Sequence, residues 1–298
     1  MKNYKLAVGN YKLYKITDRE DFELKTKNSD NYFYIGVDGI KRGLAVCPSC
    51  DNPIRILGLY KPLKNKEPYA EHHNKSTILA KFDSDNYKHC PFSFPNSNRK
   101  FDISSKKNCP SPLEKELYYT MRNNFDKAIY LLNRELDFYI SFDFAAKLLS
   151  NFVKNKAYYD YKATYHNLPW ILIDNINAFS LIGRLIKRNS DLWTFLTKRN
   201  DVKLVDCDKN GYDIIQPVGD SFVTLKACFM AIKRKIDNSD NLDEKITFGI
   251  TDSEKVPANW IYKKKYKIDE FYFHNLCKQT ENRNQKFLEL SKQIMPEI

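Results

Sequence analysis

The sequence CPSC at residues 47–50 begins a segment rich in Cys and His, and HC at residues 89–90 ends it. Between them lies a pair of histidines at residues 72–73. Thiolate and imidazole groups bind zinc in tetrahedral sets, and a Cys-x-x-Cys pair supplies two ligands from one turn. The stretch therefore predicts a zinc site, with zinc as the expected cofactor.

The sequence offers more candidate ligands than are needed to complete this site. Cys47 and Cys50 form the first pair, and the second pair must come from His72, His73, His89 and Cys90, with Cys109 as an outside candidate. Adjacent residues of an extended chain point to opposite sides, so one residue of each adjacent pair is expected to bind. We prefer Cys90 together with either His72 or His73, because three thiolates are common in structural sites.

Composition sets the limits for the rest of the chain. Its 298 residues suffice for two domains, and 42% hydrophobic residues allow a packed core. Only 9 glycines occur, and no glycine-rich nucleotide-binding motif is present. The formal net charge of +12 favours a polyanionic partner, although a Lys- and Asn-rich composition from an AT-rich genome explains it as well.

The sequence favours a cytoplasmic protein, in a host cell if a phage encodes it. No apolar run reaches the roughly 18 residues that span a bilayer, and the first residues lack the apolar core of a signal peptide. Seven cysteines in a reducing compartment indicate metal ligands and buried thiols. We expect no membrane partner, and the sequence leaves open whether the protein forms a homo-oligomer.

The N-terminal part shows short β-type segments on both sides of the Cys-x-x-Cys turn. Strands are predicted at Tyr4–Val8, Tyr11–Ile16, Tyr32–Val37, Leu44–Val46 and Ile54–Tyr60. Residues 17–31 are interpreted as a polar loop and residues 61–110 as irregular chain. A long irregular segment needs something to hold it, and a metal bound at its ends and middle would do so.

The C-terminal part begins with a strong helix start, in which Ser111 caps, Pro112 takes the first position and Glu114 completes a capping box. Helices are predicted at about 112–136, 141–156, 191–199 and 269–295, and a sheet at about 202–252. The period of residues 168–186 fits either a buried strand or a buried helix. The predicted fold is α+β: a zinc-stapled, β-rich N-terminal module (1–108), then a mixed helical and antiparallel-sheet domain (109–298).

The short strands followed by Cys-x-x-Cys and a downstream His resemble the zinc module of competence protein CoiA-like proteins, over about residues 3–90. That resemblance implies a nuclease core with an Asp and a Glu-x-Lys strand further along the chain. The nearest candidate is Asp213 with Thr224-Leu225-Lys226. It carries Thr where a metal-binding carboxylate is needed, so the catalytic pattern is incomplete.

A second nuclease hypothesis is of the HNH type and concerns His72 and His73. One could bind zinc while the other activates water, with Asn74 to orient it. Such nucleases hold a structural zinc with two Cys pairs, whereas this chain has one, so a ligand or surface pair is favoured. The acidic residues near turns are interpreted as solvated loop residues; they are Asp206, Asp208, Asp240, Asp243 and Glu244.

Two basic runs are candidates for binding nucleic acid or a protein partner. They contain Lys233, Arg234, Lys235, Lys263, Lys264, Lys265 and Lys267, with Trp260 nearby. The alternative interpretation, an exposed hairpin and strand end without a ligand, is slightly favoured. We expect a non-enzymatic, zinc-stabilised binding protein of a phage or mobile element. It would engage nucleic acid or inhibit a host protein complex of anti-phage defence. The alternative is a zinc-containing DNA nuclease.

Overall fold

The chain folds as an α+β protein, as the sequence predicts. The computed structural model describes residues 1–10, 12–64, 66–93, 106–107, 111–219, 223–237, 241–252 and 259–298. Its helices are α1 (Arg19–Lys25), α2 (Ser84–His89), α3 (Pro112–Glu135), α4 (Phe142–Lys154), α5 (Leu168–Asp174), α6 (Asp191–Leu196), α7 (Tyr272–Lys278) and α8 (Gln285–Ile294). Its strands are β1 (Asn3–Tyr4), β2 (Tyr14–Lys15), β3 (Phe33–Ile35), β4 (Lys41–Val46), β5 (Pro53–Leu57), β6 (Tyr69–His72), β7 (Phe179–Ser180), β8 (Leu185–Lys187), β9 (Val202–Asp206), β10 (Tyr212–Pro217), β11 (Lys226–Ile236), β12 (Leu242–Thr251) and β13 (Tyr262–Ile268).

The N-terminal part is built on an antiparallel sheet with the order β3-β4-β5-β6. Helix α1 places the buried Phe22 ring over Gly43 of β4, where an added Cβ would lie 2.9 Å from that ring. Ile54 and Ile56 of β5 face the same core and are almost fully buried. A compact apolar cluster thus supports the turn between β4 and β5.

The C-terminal part is built on α3, which packs against α5, α7 and α8. The capping box forms as predicted, since the backbone N–H of Ser111 donates to Glu114 Oε2 at 2.7 Å. The helix is kinked at Asn124, whose side chain donates to the carbonyl of Thr120 at 3.0 Å. A side chain that inserts into the helical hydrogen-bond ladder is a known cause of kinks.

Two further sheets complete the C-terminal part. One has the order β8-β10-β9 and the other the order β13-β12-β11-β7. In the four-stranded sheet, Phe229 of β11 and Phe248 of β12 face inward, and their rings pack near Phe138 at 6.3 and 5.6 Å between centroids. Their burial fixes which face of this sheet is the inner one.

Several predicted elements of the N-terminal part need correction. Residues 17–31 contain α1, which Asp18 caps by accepting from the N–H of Asp21 at 2.9 Å. This helix has one buried residue, Phe22, so it leaves no apolar stripe in the sequence. The irregular segment 61–110 contains β6 and α2, and the first two predicted strands are only two residues long each. Tyr11 and most of the predicted boundary near 96–110 lie outside the described residues.

The C-terminal part also differs from the sequence prediction. Residues 168–186 contain both a buried helix, α5, and short strands, which explains their ambiguous period. The single helix predicted at 269–295 is two helices, α7 and α8, separated by a turn in which Asn282 has a φ of +54°. Strand β13 precedes them and was missed, because its four lysines hide the apolar alternation of a strand.

Candidate metal centre

The turn between β4 and β5 brings Cys47 and Cys50 to one point. The N–H of Cys47 donates to the carbonyl of Asn52 at 2.8 Å, and the N–H of Asp51 donates to the carbonyl of Cys47 at 3.3 Å. Asp51 adopts a left-handed φ of +57°, a conformation that Asp tolerates better than most residues. This tight turn leaves both thiols inside the protein, at 0% and 4% exposure.

The other two side chains arrive from β6 and α2. His72 is the last residue of β6 and pairs in register with Ile54 of β5, next to the turn. Cys90 lies at the C-terminal end of α2 and is buried. Sheet pairing and a short helix therefore deliver the second pair to the first across about 40 residues of chain.

The four side chains form one cluster. The Sγ atoms of Cys47 and Cys90 are 3.7 Å apart, and Cys50 Sγ lies 3.3 Å from His72 Nε2. All four ligand atoms lie within 4.8 Å of one another, so one metal ion could contact all of them. A disulfide needs sulfurs at about 2.05 Å, so the pair Cys47 and Cys90 is not bonded.

Electrostatics within the cluster favour a thiolate at Cys47 and a protonated imidazole at His72. Burial raises the pKa of a thiol, but at Cys47 the hydrogen bonds from Cys50 and Cys90 and the charge of His72 lower the pKa well below its ordinary value. Burial opposes the charged form of His72, yet the nearby thiolates of Cys50 and Cys47 raise its pKa to about 10. Burial raises the pKa of Cys50 and of Cys90. A bound cation would replace the imidazolium as the partner of the thiolates.

Asn52 supports the cluster from outside and was not identified from the sequence. It is fully buried, and its Nδ2 donates to Cys50 Sγ at 3.3 Å. Its Oδ1 accepts from the N–H of Asp83 at 2.7 Å, at the start of α2. Asn52 thus links the Cys turn to the helix that carries Cys90. Hydrogen-bond partners of this kind orient the ligands of a metal ion.

The remaining predicted ligands lie apart from the cluster. His73 faces away from His72 and packs against the Tyr34 ring at 5.5 Å. His89 stacks on the Tyr161 ring at 3.4 Å, and its Nδ1 lies 2.9 Å from the carbonyl of Asp85. Cys109 lies outside the described residues. One residue of each adjacent pair thus joins the cluster, as expected. Strand alternation separates His72 from His73, whereas His89 is the last residue of α2 and Cys90 is its C-cap.

Two residues considered for a nuclease core, Asp213 and Lys226, lie in different sheets. Asp213 lies on β10, where it accepts from Arg188 Nε and Trp193 Nε1, both at 2.7 Å. Lys226 lies on β11, in a different sheet. Residues 223–225 precede that strand as irregular chain. Among the described residues, Asp213 therefore serves as an ion-pair and hydrogen-bond partner.

Glu244 is not a solvated loop residue, and that prediction was wrong. It lies in β12 at 1% exposure, between Arg234 Nη2 and His166 Nε2, each 2.7 Å from a carboxylate oxygen. The pKa of Glu244 is lowered because the charges of Arg234 and His166 outweigh its burial. Asp206 pairs with Arg188, Asp243 pairs with Lys245, and Asp240 lies outside the described residues.

The two basic runs lie on β11 and β13, which flank β12 in one sheet, and each run is divided between the two faces of that sheet. Strand period places Arg234 and Lys264 on the inner face, so these two residues are removed from the predicted surface. Arg234 pairs with Glu244, and Lys264 Nζ pairs with Asp137 at 2.9 Å. The other five face outward and are exposed; they are Lys233, Lys235, Lys263, Lys265 and Lys267.

A sixth lysine, Lys245 of β12, joins this outer face and was missed. The register places Lys233 opposite Lys245 and Lys245 opposite Lys267, so three lysines form a row across three strands. A β-bulge between Met230 and Lys233 makes this possible, since an extra residue exchanges the two faces of a strand. We call the six outward lysines, with Asp243 among them, the lysine face.

Comparison with protein-family models, with curated proteins and with solved structures finds no match to this chain. Fold and site thus define an α+β protein with a buried Cys3His group that could hold a metal ion. None of the helices in the described ranges combines the length and the apolar character that crossing a bilayer requires.

Proposed function

We propose that this chain is a zinc-stabilised, non-enzymatic binding protein that engages nucleic acid through the lysine face. The observation that carries the binding role is the row of Lys233, Lys245 and Lys267 across three adjacent strands. Strands lie about 4.8 Å apart, so the row concentrates positive charge, which Asp243 offsets in part at Lys245 and which a bound polyanion would neutralise further. The Lys- and Asn-rich composition and the incomplete catalytic pattern motivate the phage or mobile-element origin and the anti-defence role, which are part of this proposal.

Zinc is the metal that fits the donor set best. Thiolates select soft or borderline metals, and three Cys with one His form a common structural zinc set. A tetrahedral zinc with Zn–S bonds of about 2.3 Å would hold two sulfurs about 3.8 Å apart, and a sulfur and a nitrogen about 3.5 Å apart. The distances of 3.7 Å between Cys47 and Cys90 and 3.3 Å between Cys50 and His72 support this assignment.

The composition of the centre favours a structural role. Catalytic zinc sites keep one position open for water or substrate, with three protein ligands. Here four protein ligands are available, and the three thiols are at most 4% exposed. A metal held by all four would bind the two ends of the segment from Cys47 to Cys90 and so stabilise the N-terminal part.

Charge supports a polyanion as the partner. Lys233, Lys265 and Lys267 are exposed, and no acidic side chain of the described residues forms an ion pair with them. Asp243 pairs with Lys235 at 3.6 Å and with Lys245 at 3.0 Å, which leaves the face strongly positive. Cationic surfaces of this kind bind phosphate backbones through counterion release.

Two measurements test the proposal. Elemental analysis should find about one zinc per chain, lost in Cys47→Ser and retained in Cys228→Ser, which changes a thiol outside the cluster. A gel shift should show salt-dependent binding of a labelled oligonucleotide, weakened in Lys245→Glu and unchanged in Lys147→Glu, an exposed lysine of α4. Equal weakening in both charge variants would overturn the lysine face as the binding surface. Full zinc occupancy in Cys47→Ser would overturn the metal centre.

A further inference from the structure

We propose that the lysine face binds single-stranded nucleic acid, with one unpaired base stacked on Trp260 and the adjoining phosphates on the lysines. This inference rests on the proposed function and specifies its ligand. Proteins that bind single strands combine a cationic path for the backbone with aromatic side chains for the bases. The outer face of this sheet carries both.

Trp260 lies against the same face as the lysines. An added Cβ on Gly249 would be 2.5 Å from the Trp260 ring, so the indole rests on the glycine backbone. Phe248 and Ile250, the neighbours of Gly249 in β12, are buried in the core, so Gly249 presents its outer side to the indole. Trp260 stays partly exposed there, which leaves indole surface open to a base.

The absence of a side chain at Gly249 is what admits the indole. The Cε atom of Met230, on the other side of β12, would also be 3.1 Å from that Cβ. The ring therefore packs directly on the backbone of β12 and is held close to the sheet. An aromatic ring held in this way loses little freedom when a base stacks on it.

The lysines form a path that leads away from Trp260. Lys263 is paired with Gly249, and its Nζ lies over the Trp260 ring, 6.0 Å from the ring centroid, so its side chain would share this face with a stacked base. Lys265 comes next, and the row of Lys233, Lys245 and Lys267 follows. Gly249 and Lys245 are four residues apart in one strand, which is about 13 Å. A short segment of a few nucleotides can span this distance.

This arrangement favours a single strand over a duplex and over an acidic protein. Bases in a duplex are stacked on one another and cannot reach an indole that lies against a sheet, whereas unpaired bases can. An acidic protein segment would use the lysines, but it has no base to stack on Trp260. Dependence of binding on the indole therefore separates the three ligands.

The test measures fluorescence anisotropy with a labelled single-stranded oligonucleotide, a blunt duplex of equal length and heparin as competitor. We expect tighter binding of the single strand, a loss of about tenfold in affinity in Trp260→Leu and substantial recovery in Trp260→Phe. Tyr130→Leu, which removes an exposed aromatic ring of α3, should leave affinity unchanged. Thermal unfolding of each variant establishes that the fold is retained.

The outcomes distinguish this inference from the proposed function. Salt-dependent binding that is lost in Lys245→Glu but unchanged in Trp260→Leu, or equal affinity for duplex and single strand, would overturn the stacking site and keep the polyanion surface. Binding of neither nucleic acid by the wild-type protein would overturn both proposals. A Trp260→Phe variant no tighter than Trp260→Leu, with both folded, would also contradict stacking.

Discussion

The carboxylate of Asp51 accepts a hydrogen bond from the hydroxyl of Tyr165 at 2.8 Å. Asp51 directly follows Cys50, and Tyr165 belongs to the apolar core of the C-terminal part. The other oxygen of Asp51 pairs with Lys5, whose side chain is fully buried and whose Nζ lies 4.1 Å above the Tyr165 ring. The Cys47–Cys50 turn is thus fastened to Lys5 near the start of the chain and to the core of the C-terminal part.

Asp51→Asn should destabilise the protein by about 3 kcal/mol, because it leaves the Lys5 ammonium buried without its counter-charge. Asn tolerates the left-handed backbone at this position, so the turn itself is retained. Chemical denaturation of the metal-loaded protein measures the effect. Glu67→Gln removes the exposed partner of Lys2 and should change stability by less than about 0.5 kcal/mol. Equal effects of the two variants would contradict a buried pair.

His72→Ala and His73→Ala should have opposite consequences for the metal. His72 lies in the cluster, so its removal should lower zinc retention in the presence of a chelator, whereas His73→Ala should retain zinc like the wild-type protein. Neither variant, nor the wild type, should cleave plasmid DNA with Mg²⁺ or Mn²⁺. Metal-dependent cleavage that is lost in His73→Ala would instead support the nuclease alternative.

Arg234→Met and Lys233→Met should differ sharply although the residues are adjacent. Arg234→Met removes the guanidinium that pairs with the buried Glu244 and should cost about 3–5 kcal/mol of stability. Lys233 is exposed on the outer face, so its replacement should stay within about 0.5 kcal/mol. Urea unfolding of both variants checks this, and similar values would contradict the strand register.

Glu270→Gln should stabilise the protein increasingly as pH rises. Burial raises the pKa of Glu270 above its ordinary value of 4.5, and its buried Oε1 has no hydrogen-bond partner among the described residues. A raised pKa means that folding favours the protonated form, so stability is fully present below pH 4.5 and declines as pH rises through the folded-state pKa. Gln mimics the protonated form and keeps the acceptor for Asn3 Nδ2, which lies at 3.1 Å.

Unfolding free energies of wild type and Glu270→Gln across pH 4 to 8 provide the measurement. Their difference should be smallest at the acidic end and should grow in favour of the variant toward neutral pH. A difference that is constant with pH would show that Glu270 is not protonated preferentially in the folded protein.

Local sequence signals predicted much of the fold. The capping box at Ser111 located the start of α3, and the Cys-x-x-Cys turn located the hairpin of β4 and β5. Both signals involve residues within a few positions of each other, so they need no knowledge of the tertiary structure. Helix α1 was not detected in this way, because a seven-residue helix with one buried side chain shows no hydrophobic periodicity.

Strand register and contacts between distant residues determine the features that local sequence signals did not predict. The choice between His72 and His73 depends on the register of β6 against β5, which pairs His72 with Ile54. The division of the basic runs depends on the bulge after Met230, which changes the outward residues from even to odd positions. The contact of Asp51 with Tyr165 joins residues 114 positions apart, and no local pattern predicts it.

The salt dependence of single-strand binding reports how many phosphates the lysine face contacts. For the wild-type protein, the logarithm of the binding constant should fall linearly with the logarithm of salt concentration. The triple variant Lys233→Ala, Lys245→Ala and Lys267→Ala should bind more weakly and lower the slope by about 2, since each phosphate contact on a single strand contributes about 0.7. A slope equal to that of the wild type would contradict the lysine face as the nucleic-acid surface.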